Sequence, residues 1–360
     1  MDNHYLKKIT IVIPTLYYRD YKLLRLLKYL EQQKYNLNIR ILISGELDKM
    51  PKQVKEIVKN LNIDYLEFSQ KISTANKFNQ GIQTINTPYI VLCADDDFII
   101  PGNLIDSIKY LEDNPDYSTA HGRYISYWQP GHPGQPEGHF IIKDRYESKS
   151  VTDEKAVDRF LYHFENYSWH CNYSVHRTDL LKIIFNNLVE YTNDIRFEEL
   201  IYSLSTLSYG KMKRFNTLHC MREKPLPYEK KTYSDDIFDF QKKGTYNEKY
   251  SNFKKCMAGL LSNLDGISIT DAENVVDRGM NTYLSNALQN RKIPIKQKYK
   301  LKLIYLSEKF KLMYYLKRFY KKTFLYKKAE PNEYLDWFSA EDLKEFNKIK
   351  SLVLKYHDYK

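Results

Sequence analysis

Three consecutive aspartates, Asp95, Asp96 and Asp97, close an apolar run in the stretch "YIVLCADDDFIIPGNL". Charged side chains are almost never fully buried without partners, and adjacent carboxylates repel one another. A divalent cation is the simplest compensation. Magnesium and manganese favour oxygen ligands, commonly one or two carboxylates together with phosphate oxygens of a substrate. The competing reading is a solvated acidic turn that caps a helix beginning near Gly102. A second acidic pair, Glu198-Glu199, heads the apolar segment "RFEELIYSLSTL". The helix dipole favours acids there whether or not they do chemistry.

The elements that must position these groups can be read from the pattern of apolar residues. "KKITIVIPTL" contains a β-branched run stopped by Pro14, which predicts a buried strand. "DYKLLRLLKYLEQQ" has helical spacing, with Asp20 as the expected N-cap. "NIRILIS" predicts a second strand ending at Gly45, and "MPKQVKEIVKNLN" a second helix with Pro51 near its first turn. "IDYLEFS", "STANKFNQGIQTIN" and "PYIVLCA" follow as strand, helix and strand. This alternation implies right-handed crossovers and a mostly parallel sheet with helices on both faces, an α/β architecture of Rossmann-like kind. Ligands of such sheets bind beyond the carboxyl ends of the strands, where the aspartates fall. The first glycine of the chain is Gly45. The turn after the first strand therefore lacks both a G-x-G-x-x-G dinucleotide fingerprint and a P-loop, so a phosphate must be held by metal and side chains.

With these residues in place, the chain resembles nucleotide-sugar-dependent glycosyltransferases of the GT-A fold, family 2 type, across about residues 7 to 225. "TIVIPTLYYR" looks like the opening strand and aromatic turn of that family. "STANKFNQGI" is similar to its A-R-N-x-G-I segment, with Asn79 and Gly81 matching and Phe78 in place of the arginine. "VLCADDDFIIPGNL" resembles its D-x-D segment, and "RFEELIYSLSTLSYGKMKRFN" its later acidic pair. The resemblance implies Mn2+ or Mg2+ held by Asp97 and Asp95, with Asp95 or Asp96 also contacting the donor. It implies a base pocket lined by Pro14, Thr15 and Tyr17. It further implies a general base at Glu199, with Glu198 next, acting on an acceptor hydroxyl in an inverting transfer. The second strand ends without the family's usual aspartates, so either Glu46 or Asp48 takes their place or the base is held differently. Lys77 and Arg222 are candidate phosphate ligands, set against solvated surface roles, and the resemblance also places Asn79 among the donor-binding residues. His219, expected just after a strand, is a candidate third metal ligand, set against a structural histidine. The implied partners are a nucleoside-diphosphate sugar, with UDP favoured, and a glycan or lipid-linked glycan acceptor such as those of capsule or lipopolysaccharide synthesis. Two loops, Trp128 to His139 and Tyr167 to Arg177 with Trp169, are expected on the acceptor side.

The remaining composition sets bounds. A chain of 360 residues, 42% of them hydrophobic, can bury a sizeable core. The cysteines, Cys93, Cys171, Cys220 and Cys256, form no C-x-x-C pair, which fits reduced thiols and argues against structural zinc. No apolar run is long enough to span a membrane and the first ten residues carry no signal-like region, so a cytoplasmic protein is expected. The net charge of +11 is concentrated: residues 291–328 hold fourteen Lys/Arg against one acid, Glu308. A catalytic region 1–225 is expected to give way to a helical region 226–360. Its basic amphipathic segment suits an anionic membrane surface, or equally a helix packed on the catalytic region with its lysines in solvent. A sugar nucleotidyltransferase is disfavoured by the missing glycine-rich turn. A nucleic-acid-binding protein would use residues 291–328, but no nucleic-acid module is present and the aspartates would be left unexplained.

Overall fold

The computed structural model describes residues 2–128, 141–146, 149–167, 171–224, 237–291 and 338–356. Strands β1 (Ile9–Leu16), β2 (Asn38–Ser44), β3 (Asp64–Phe68) and β4 (Tyr89–Leu92) alternate with helices α2 (Asp20–Glu31), α3 (Lys52–Asn60) and α4 (Thr74–Gln83), after a short α1 (Asp2–Leu6). Then come β5 (Phe98–Ile99), α5 (Pro101–Asp113), β6 (Tyr117–Trp128), β7 (Ile141–Tyr146), α6 (Ala156–Glu165), β8 (Val175–Arg177), α7 (Thr178–Tyr191), α8 (Ile195–Tyr209) and β9 (Lys211–Lys224). Four further helices are described: α9 (Ile237–Lys243), α10 (Tyr246–Asp265), α11 (Ile269–Arg291) and α12 (Ala340–Lys355).

The nine strands form one sheet in the order β3-β2-β1-β4-β8-β6-β9-β5, with β7 paired to the outer part of β6. The expected parallel arrangement holds for β3, β2, β1 and β4, with Val12 opposite Leu92 and Ile13 opposite Ile41. Beyond β4 the sheet is mixed. β8 pairs antiparallel with both β4 and β6, β9 runs parallel to β6, and β5 is antiparallel to β9. The βα alternation that predicts parallel pairing ends at residue 92, so the second half of the sheet lies outside its reach.

Side chains alternate across the strands, and this builds two cores. Ile11, Ile13, Ile41, Ile43 and Val91 face a core closed by α1, α2, α3, α5 and α12. Val12, Leu42, Ile90 and Leu92 face a second core closed by α4, by α6 to α8 and by α9 to α11. The C-terminal helices thus complete both layers. Phe253, Met257 and Leu261 of α10 lie in the same cluster as Phe197 of α8. On the other face, Glu345 of α12 accepts a hydrogen bond from the Tyr29 hydroxyl at 2.7 Å. At the start of α12, Ser339 and Asp342 form a reciprocal capping box. At α2 the N-cap is Arg19 and not Asp20, which occupies the first helical turn. All four cysteines are buried and free. Among the described residues no helix is long and apolar enough to cross a membrane. The basic segment from 292 onward, Trp169 and residues 129–139 of the Pro/Gly loop lie outside the described residues, as does the expected boundary at 225/226.

Two glycines fix the approach of elements around the site. A Cβ on Gly81 would stand 2.4 Å from Leu42, so α4 can pack on β2 only with glycine there. Gly45 has φ +125° and lies against Tyr17, whose Cβ an added Cβ would meet at 2.8 Å and whose ring at 2.9 Å.

Candidate functional site

The aspartates follow β4 at the carboxyl edge of the parallel strands, as expected. Asp95 is buried, and its Oδ2 accepts a 2.7 Å hydrogen bond from the hydroxyl of Thr15, near the end of neighbouring β1. The Arg19 guanidinium lies 3.1 Å from Asp95 Oδ1 and also pairs with Asp96. Asp97 is buried too. Its Oδ1 accepts from the Glu223 backbone N–H at 2.7 Å and its Oδ2 from the Tyr173 hydroxyl, with Arg222 Nε 3.7 Å away. Asp96 turns towards α2, where Lys22 Nζ lies 3.5 Å from it.

Electrostatics separate the three. Burial raises Asp95 to about 6, against the pull of Arg19. Burial and the charge of Asp96 raise Asp97 to about 7. For Asp96, burial is outweighed by Arg19, Lys22 and Arg25, which hold it below its ordinary value. The register that three identical residues leave open is therefore decided by what each one faces. Asp95 and Asp97 are the proton-hungry pair, and Asp96 between them is already ion-paired.

Pro14, Thr15 and Tyr17 lie on the same edge, at the end of β1 and just after it. Lys77 does not have the solvated position considered for a helix lysine. It is buried and donates to Ser44 Oγ at 3.1 Å. Burial lowers it to about 8, opposed by the nearby charge of Asp95. Asn79 is not brought to this group. Two residues along a helix it points to nearly the opposite side, where its Oδ1 accepts from Gln83. Glu46 is exposed and paired with Lys49 at 2.6 Å, before the 3-10 turn Leu47–Lys49. Arg222 stacks over the Tyr173 ring, 5.1 Å from its centroid, as well as approaching Asp97.

His219 requires a correction. It lies within β9, fully buried, with Nε2 against the Tyr173 carbonyl at 2.6 Å. Asp97 meets the hydroxyl end of the same tyrosine, so Tyr173 stands between the imidazole and the carboxylate. Among the described residues no three His, Cys, Asp or Glu side chains converge to hold a metal by themselves. The expected set of Asp95, Asp97 and His219 is therefore not assembled. The structural reading of His219 holds, and burial lowers its basicity to about 4.

Glu198 lies in the first turn of α8 and Glu199 directly after it; the helix is capped by Asp194, whose carboxylate accepts from the Arg196 and Phe197 backbone N–H groups. Glu199 pairs with Arg196 at 3.3 Å. Glu198 is buried, and burial followed by the charges of Asp194 and Glu199 raises it to about 7. Neither glutamate makes a hydrogen bond or ion pair to the aspartate group.

Sequence reasoning passed over Arg19, Lys22, Arg25, Tyr173 and Glu223. The bases recur every third residue, a spacing that puts all three on one side of a helix directly after the first strand. That signal was available in the sequence. Tyr173 and Glu223 left none, because only the sheet order brings β9 and the residues before β8 beside the aspartates.

Residues 10–176 match the family model described as glycosyl transferase family 2. A search of curated proteins finds no match. Among solved structures, a crystal structure of S. aureus TarS residues 1–349 aligns with a TM-score of 0.51 and 13% identity, covering 81% of this chain and 76% of that one. The same protein in complex with UDP-GlcNAc aligns with a TM-score of 0.52 and 13% identity, covering 80% and 77%. At such identity the likeness speaks for the fold. The family match and the fold agree with the placement of the aspartates: residues 10–176 match a family 2 glycosyltransferase domain within a GT-A fold.

Proposed function

We propose that the protein transfers a sugar, with inversion, from a nucleoside-diphosphate donor to a hydroxyl of a glycan or lipid-linked glycan. One observation carries this reading. Two buried carboxylates of raised pKa, Asp95 and Asp97, share the carboxyl edge of the sheet with Thr15, Arg19, Lys77 and Arg222. Oxygen donors suit Mg2+ or Mn2+. Asp95 Oδ1 is buried and accepts no hydrogen bond, with only the Arg19 guanidinium 3.1 Å away, so the residues fit such an ion, which Asp95 and Asp97 would hold. A cation bound there would stabilise the charge that develops on the departing nucleoside diphosphate. Arg19, Lys77 and Arg222 supply further positive charge to the same end of the donor. UDP is the favoured nucleotide, since a protein of this fold is known with UDP-GlcNAc bound.

An inverting transfer needs one base for the acceptor hydroxyl. A base is most effective when its pKa lies near the working pH. Glu198, raised to about 7, meets that condition, while Glu199 is tied to Arg196. The order of preference from sequence is therefore reversed. In this reading the basic composition of segment 291–328 suits contact with an anionic membrane that carries the acceptor.

The test is a calorimetric or thermal-shift screen of UDP, GDP, CDP and dTDP, each with and without manganese, on wild type and Asp97→Ala. A ligand that binds the native state raises its stability by mass action. One diphosphate should stabilise the wild type with metal and leave the variant unmoved. Wild-type protein unmoved by every diphosphate would refute the reading.

A further inference from the structure

Behind the aspartates lies a chain of charges whose inner members, Lys22, Arg25 and Glu223, are buried. The Arg25 side chain is fully buried, and its Nη2 donates to Glu223 Oε2 at 2.6 Å. Glu223 Oε1 lies 3.1 Å from Lys22 Nζ, which is 3% exposed. Lys22 extends to Asp96 at 3.5 Å, and Asp96 pairs with Arg19, which also reaches Asp95. The other branch is shorter. The backbone N–H of Glu223 is one of the two donors on Asp97, at 2.7 Å. Glu223 is thus a common anchor, joined through one bond to Asp97 and through Lys22, Asp96 and Arg19 to Asp95.

Buried ion pairs of this kind add little net stability, because the desolvation of the charges offsets their attraction. Apolar side chains of similar volume would hold α2 to β9 about as well. What they would not supply is direction. The hydrogen bond from Arg25 Nη2 fixes where the Glu223 carboxylate sits, and the backbone of Glu223 fixes where Asp97 points.

We propose that Lys22, Arg25 and Glu223 are positioning residues of the donor site, which lock the start of α2 to β9 so that Asp95 and Asp97 are held in register for one metal-bound diphosphate. This rests on the donor-site reading above. Replacing partners one shell behind metal ligands commonly weakens metal affinity by about 10- to 100-fold.

The experiment compares wild type, the double variant Arg25→Met/Glu223→Met and the single variant Arg25→Lys. Thermal stability in chelator and the Kd for manganese-UDP by calorimetry are both measured. The double variant should melt within a few degrees of wild type, yet bind manganese-UDP about tenfold or more weakly. Arg25→Lys keeps the charge but replaces the directed Nη2 contact to Glu223 by a shorter, freely rotating ammonium, and should also bind more weakly. Folded variants that bind as tightly as wild type overturn the inference. If the double variant does not fold, Arg25→Lys decides it alone. Wild type that binds no nucleoside diphosphate overturns the donor-site reading and this inference with it, which separates that failure from a failure of positioning alone.

Discussion

Replacing Glu198 by glutamine should make the protein more stable and less active, with a stability gain that grows as pH rises from about 4.5 to 7 and is full above it. The carboxyl is raised from 4.5 to about 7 in the folded protein, chiefly by burial. The folded state therefore holds a proton that the unfolded chain has released between those values. The stability this group contributes is fully present below about 4.5 and is lost as pH rises through 7. Carrying a carboxyl from 4.5 to about 7 corresponds to roughly 3 kcal/mol. Residual contact with water reduces that to about 1–3 kcal/mol. Unfolding entropy of ~2.1 cal/mol/K per residue over 360 residues converts this to a Tm rise of about 1–4 °C. The assay is the Tm difference between Glu198→Gln and wild type from pH 5 to pH 8.5. It should be near zero at pH 5 and positive at pH 8. Turnover should fall by about 10²-fold or more if Glu198 is the base, and Glu199→Gln should be far milder. A variant that is less stable at every pH would refute the reasoning, because the carboxylate would then have a partner worth more than its burial costs. A stabilised variant with full turnover would leave the electrostatics standing and move the base to Glu199.

Further outcomes follow from other parts of the structure. Asp97→Asn keeps a side-chain oxygen for the Glu223 N–H but removes a buried charge, so the chelator-treated variant should melt no lower than wild type at pH 8 while losing metal-dependent UDP stabilisation, both read by thermal shift. Gly81→Ala places a methyl 2.4 Å from Leu42 and should cost about 1–3 kcal/mol, measured by urea denaturation. Buried His121, His176 and His219 are lowered from 6.5 to about 3, 4 and 4. The unfolded chain takes up their protons first, so stability should fall as pH drops from about 6.5 towards 4, by roughly 3 kcal/mol per ring. His219→Gln should flatten part of that acid limb in a Tm-versus-pH series. Lys77→Met should retain the fold and weaken UDP binding measured by calorimetry.

The sequence by itself determined the first four strands, the helices between them and the edge on which the aspartates lie. Those features depend on local periodicity and on stops such as Pro14 and Gly45, which a linear chain displays directly. It also showed acids at the start of α8 and the cap of α12, because capping acts within one turn. Tertiary structure decided the rest. It set β8, β6, β9 and β5 beside β4 with mixed directions, and so brought Tyr173, Arg222 and Glu223 onto Asp97 from far along the chain. It withdrew His219 and Asn79 from the site and buried Lys77 in it. It also told three identical aspartates apart. Residue type is the same for Asp95, Asp96 and Asp97, but a proton's affinity for each depends on which charges and how much water surround it. Those surroundings exist only once α2, β1 and β9 have come together.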